Sequence, residues 1–157
     1  MAGRTVETLV RTLRRAIGLS LADWRYLAIA VKELGLARVR HATQPIGHIL
    51  RELQTERPLP AEAGDSVDLA RLSWALGAAA ARVPWRSDCL LRAMAADRWL
   101  RRHGHQPEFF LGVNTDATTG FGAHAWLRCS GIIITGGEST EYTQLLAPPA
   151  SPPRLPP

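Results

Sequence analysis

The stretch Pro84-Trp85-Arg86-Ser87-Asp88-Cys89-Leu90-Leu91-Arg92-Ala93-Met94 is where the chain declares its architecture. Pro84 interrupts the helical pattern before it, and Ser87 or Asp88 supplies an N-cap for the helix that follows. That helix continues through Ala95, Trp99 and Leu100 and stops near Gly104. Cys89 therefore falls in a first helical turn, where N–H groups lack helical partners and the positive end of the macrodipole favours a thiolate. Arg86 and Arg92 act in the same direction, and the acidic Asp88 acts against it. The N–H groups of such a turn are also placed to hold an oxyanion during acyl transfer.

Downstream the hydrophobic period changes from helical to alternating. Residues 108–113 predict a strand, residues 114–120 a polar loop, Gly122–Cys129 a second strand, Ser130-Gly131 a tight turn, and Ile132-Ile133-Ile134 a third strand. Upstream everything reads as helix. Apolar residues at 6, 9, 10, 13 and 17 make one helical face, and Gly18 ends it. Ser20 with Asp23 caps a second helix from Leu21 to about Val39, apolar around much of its circumference and so expected to be buried or to meet a partner. Pro45 opens a short helix to about Gln54, Pro58-Leu59-Pro60 with Gly64 forms a linker, and Ser66 caps a helix to Val83. Helices first and an antiparallel meander after them make an α+β fold. The expected divisions are a helical region over 1–57, a core over 58–147 and a Pro-rich tail over 148–157.

Composition narrows the class further. With 157 residues, 46% hydrophobic and 21% charged, the chain has material for one folded domain rather than a disordered segment. No apolar run reaches the roughly 18–20 residues that span a bilayer, and the start does not read as a secretory signal, so a cytoplasmic location is the expectation. Two cysteines, Cys89 and Cys129, without a CxxC pair or Cys/His cluster, argue against a disulfide framework and a structural zinc. No metal or organic cofactor is implied. The net charge of +5 is uneven: residues 1–51 carry nine basic side chains against three acidic ones. A basic face of this kind can be simply solvated or can dock an acidic polypeptide, a membrane surface or nucleic acid. Aromatic residues are not interleaved with the arginines, which weakens nucleic acid as a partner.

His124 lies mid-strand in Gly122-Ala123-His124-Ala125-Trp126, among small neighbours. A helix-start cysteine with a strand histidine is the pair that thiol acyl transfer uses, the imidazole taking the thiol proton and later returning one to the leaving amine. Either residue alone is more often structural. Cys129, beside Ser130, reads as an inert thiol. His103-Gly104-His105 reads as a helix end whose cationic side chains suit the dipole, not as a metal site. Trp85 and Trp126 flank the pair as groove lining or as core. Asp116 sits in the loop that borders it, where solvation accounts for an acid.

The segments taken together resemble the lasso-peptide maturation peptidases, the B2 proteins, a branch of the transglutaminase-like superfamily. The resemblance covers residues 70–146 and rests on Trp85-x-Ser87-Asp88-Cys89-Leu90-Leu91-Arg92-Ala93-Met94 with Leu100-Arg101-Arg102-His103-Gly104. It continues through Phe110-Leu111-Gly112-Val113, Ala123-His124-Ala125-Trp126-Leu127, and Gly131 leading to Gly136-Gly137. It implies a papain/transglutaminase-like core with a nucleophile-bearing helix packed on a small antiparallel sheet, Cys89 as nucleophile and His124 as base. It implies a cysteine peptidase that removes the leader from a ribosomally made precursor peptide. A separate B1-type leader-recognition protein and an ATP-dependent macrolactam cyclase are the implied partners. Many members of that family place an Asp twelve residues after the histidine, whereas this chain has Gly136 there. Glu138, two residues on, or a backbone carbonyl is left to orient the imidazole. The other readings are transglutaminase-like acyl transfer on the same scaffold, and a non-catalytic helical binding subunit.

Overall fold

The structure, a computed structural model, describes residues 18–55, 67–116, 120–137 and 141–148. The expected helix over 6–17, the linker at 58–64, Ser66, Glu138 and the tail beyond Pro148 lie outside the described residues. What is described is α+β: helices α1 (Leu21–Thr43), α2 (Ile46–Gln54), α3 (Leu69–Ala80) and α4 (Cys89–Arg102), then strands β1 (Glu108–Asp116), β2 (Gly120–Cys129), β3 (Ile132–Thr135) and β4 (Thr143–Leu146). All pairings are antiparallel and the sheet order is β3-β2-β1-β4.

Local chemistry sets most boundaries. Ser20 and Asp23 form a full capping box at the start of α1, each side chain answering the other's backbone N–H. Pro45 begins α2, where its missing N–H costs nothing. The cap of α3 is Asp68, whose carboxylate accepts from the Arg71 N–H at 3.0 Å, and the helix ends at Ala80 rather than Val83. α1 runs four residues past the expected Val39, because Val39 and Arg40 fit a helical turn that Pro45 alone forces to stop. Strands β1 and β2 extend into the expected polar loop, to Asp116 and from Gly120. The hairpin of β2 and β3 turns on Ser130 and Gly131, both at positive φ (52° and 78°), the mirror-image turn whose twist matches the strands. β4 pairs with β1, a strand the sequence pattern does not announce.

One core holds these layers together. Ala30, Leu34 and Ala37 of α1, Ile49 and Leu53 of α2, Leu72 and Leu76 of α3, and Met94, Trp99 and Leu100 of α4 pack with Phe109, Ala125, Leu127, Cys129 and Ile134 of the sheet. The N-terminal helices thus share their apolar face with the rest of the chain. A bulge between Leu127 and Arg128 accommodates Ile134, which is buried. Its carbonyl accepts from Ser73 Oγ at 2.7 Å, tying β3 to α3. Buried polar groups brace the helices from within. Asp97 accepts from Arg101 Nε at 2.8 Å, and Arg101 also donates to the Thr55 and Leu53 carbonyls, so α4 fastens the end of α2.

Candidate active site

Cys89 is the first residue of α4. Asp88 is its N-cap, with the carboxylate accepting from the Leu91 N–H at 3.1 Å; of the two caps the sequence left open, Asp88 fills the role. The Arg92 N–H returns to the Asp88 carbonyl. Among the described residues the N–H groups of Cys89 and Leu90 have no such partner, as a helix start requires. The thiol is free, half-buried and packed against the edge of the core. Residues 83, 85, 87 and 89 are half-buried while 84, 86 and 88 between them are exposed. Trp85 Nε1, Ser87 Oγ and, one turn on, Arg92 Nε are buried atoms with no hydrogen-bond partner. Buried donors are rarely left unpaired, and here three gather in sequence around one thiol.

His124 projects from the middle of β2. Along this strand Ala125, Leu127 and Cys129 join the core beneath the helices, so His124 and Trp126 alternate to the other face. The imidazole Nε2 lies 2.7 Å from the carbonyl oxygen of Gly136. A carbonyl only accepts, so Nε2 carries a proton, and in the neutral ring the lone pair is on Nδ1. The position twelve residues after the histidine thus offers a backbone acceptor.

Glycine is required there: φ is +96°, and a Cβ would stand 2.4 Å from Trp126 Cβ and 2.9 Å from the Ala125 carbonyl oxygen. Two aromatic rings flank the imidazole. Tyr142 stacks on it at 4.8 Å between centroids and Trp126 lies at 6.1 Å, itself stacked on Phe110. Gly112, directly opposite His124 on β1, makes room: a Cβ there would meet Tyr142 Cβ at 2.9 Å and Trp126 Cζ3 at 3.0 Å.

Helix α4 packs against β2 and β3, so the elements bearing both candidates are neighbours. No hydrogen bond links the Cys89 thiol to the His124 imidazole in this structure. Glu138 lies outside the described residues. Tyr142 has no precedent in the sequence reading, because nothing in Glu141-Tyr142-Thr143 marks it as lying over a residue 18 positions earlier. Its signal was indirect, in the glycine of Leu111-Gly112-Val113 that interrupts an apolar strand.

The remaining candidates resolve simply. Cys129 is buried, and burial pushes its thiol above the usual range, against a weaker pull from Ser130. His103 Nδ1 donates to the Trp99 carbonyl at 2.9 Å, a helix-end cap. Trp126 is buried and Trp85 is half-buried against the core. Among the described residues no three His, Cys, Asp or Glu side chains converge as a metal-binding group. None of the described helices is long and apolar enough to cross a membrane.

Neither the curated proteins nor the solved structures yield a match to this chain. The family model described as transglutaminase-like superfamily matches residues 30–147, from the middle of α1 through β4. Those residues contain both Cys89 and His124 and make up well over half of the chain, which therefore belongs to the transglutaminase-like superfamily, whose members are generally cysteine proteases or acyltransferases.

Proposed function

We propose that the chain is a cysteine peptidase that removes the leader from a ribosomally synthesised lasso precursor peptide, together with a separate B1-type leader-binding protein. The observation that carries this reading is the hydrogen bond from His124 Nε2 to the Gly136 carbonyl, which leaves Nδ1 as the basic nitrogen. Superfamily membership and a thiol at a helix start support the same assignment. In the reaction Nδ1 takes the Cys89 proton as sulfur attacks the scissile carbonyl carbon. The tetrahedral oxyanion draws on the unpaired N–H groups of the first turn of α4. Collapse breaks the C–N bond, the imidazolium protonates the departing amine, and water then hydrolyses the thioester with His124 again as base. Thiol and Nδ1 must close to roughly 3–3.5 Å for this, a contact that often tightens only with substrate bound. The macrolactam cyclase acts after it, on the freed amine.

Mass spectrometry of a mixture of the purified chain, the B1-type protein and the precursor tests the reading. Leader release is expected from the parent protein and is expected to vanish in Cys89→Ala and His124→Ala, with each variant still melting cooperatively. Cleavage that survives in Cys89→Ala would overturn the mechanism. Adding a primary amine separates hydrolysis from acyl exchange, since only exchange yields a new amide.

A second reading, a non-catalytic binding subunit, is favoured by the absence of a thiol–imidazole hydrogen bond and by the turn of His124 away from the core face of β2. Under that reading Cys89 shows no reactivity beyond its exposure toward a mild alkylating agent. Alkylation of Cys89 that falls sharply in His124→Ala would exclude it.

A further inference from the structure

One face of α1 takes no part in the core, and it is apolar. Leu21, Trp24, Val31 and Val39 are 90, 50, 44 and 60% exposed. Ala28 and Ala42, also exposed, and Gly35 complete steps of three and four residues between them. They form a stripe along a helix of 23 residues, about 35 Å at 1.5 Å per residue. Single exposed apolar side chains need no explanation, but an aligned stripe of this length is the mark of an interaction surface. Nothing lies within 4 Å of where a Cβ on Gly35 would stand, so the backbone there can be approached closely.

The charges around the stripe have one sign. Arg25 and Lys32 border one side and Arg38 the other, all exposed and without an ion pair among the described residues. The acids of the same helix are already engaged. Asp23 caps the helix and pairs with Arg71 at 3.0 Å, and Glu33 is buried with Arg98 Nε 3.1 Å away. A second copy of this chain would bring the same basic border to the contact. Residues 1–17 would bring Arg4, Arg11, Arg14 and Arg15 against Glu7 alone. A partner with acidic flanks turns these charges into favourable contacts. We propose that the exposed stripe of α1 docks an acidic amphipathic helix of another protein, laid along Trp24, Val31 and Val39 between Arg25 and Lys32 on one side and Arg38 on the other.

The test uses the full chain and a labelled synthetic helix with a Leu/Ala stripe flanked by Glu, beside the same peptide with Lys for Glu. The Glu peptide is expected to bind, more weakly as salt rises, and the Lys peptide to bind far less. Arg25→Glu/Lys32→Glu/Arg38→Glu should weaken the Glu peptide by roughly tenfold or more, and Val31→Asp should abolish its binding. Both variants should keep the parent's melting temperature, and Cys89→Ala should bind like the parent, which separates this surface from the proposed chemistry. Four results would overturn the proposal: equal or no binding of the two peptides, binding seen only after deletion of residues 1–17, a dimer in sedimentation that Val31→Asp dissolves, or binding to anionic vesicles in place of the peptide.

Discussion

Gly136 concentrates three demands in one residue. Its φ of +96° is a conformation side chains rarely adopt, its Cα faces Trp126 with no room for a Cβ, and its carbonyl holds the imidazole of His124. Placing an Asp here is therefore expected to harm the protein. Gly136→Asp should cost at least about 1–3 kcal/mol of stability from backbone strain alone, seen as a lower denaturant midpoint. It should also lose activity, because Trp126 and the carbonyl must move together. A Gly136→Asp variant with parental stability and higher activity would show that the backbone acceptor is not what orients the ring. The carbonyl was one of two acceptors the sequence left open. The twelve-residue spacing was legible, but whether a side chain or a backbone oxygen sits there depends on a bulge between β2 and β3 that no local pattern announces.

Among the elements, α4 is the one whose start matters most. Its first turn has a single side-chain cap, Asp88, bonded to the Leu91 N–H. Asp88→Ala is expected to destabilise the protein by about 1 kcal/mol, measurable as a shift in urea midpoint with an unchanged m-value. Serine at 88 should recover most of that loss. The start of α4 was readable from Pro84 and the polar run before Cys89, because a helix N-terminus is chosen by neighbours in sequence. The edge strand β4 was not readable. Four residues with Tyr142 before them become a strand only because β1 offers an unpaired edge.

At the scale of the molecule, α1 is part of the core and not an appendage. Leu34 is fully buried in the cluster that includes Trp99 and Leu127. Leu34→Ala should cost about 2–5 kcal/mol and lower one cooperative transition followed by both tryptophan fluorescence and far-ultraviolet dichroism. A separate early transition of the N-terminal helices would contradict the shared core. Stability should also vary with acid through Asp97. Burial pushes this carboxyl up to about 6 even though Arg101 pulls it down. Its proton is held more tightly folded than unfolded, so the group favours the fold below about pH 4. That contribution declines as pH rises through about 6, by at most about 3 kcal/mol. Asp97→Asn should remove this component of the pH dependence, as chemical denaturation across that range would show.

The sequence by itself determined the α+β order of elements, the Ser20 cap, a cap at Ser87 or Asp88 before Cys89, and the Ser130-Gly131 turn, and it singled out Cys89 and His124 as candidates. Each is written in a few adjacent residues, through period, capping or turn chemistry. Only the tertiary structure decided that Gly136 offers a carbonyl to His124, that Tyr142 covers the ring through the space left by Gly112, and that one side of α1 stays open. Those outcomes depend on strand register and on which faces meet, and residues far apart in the chain set both.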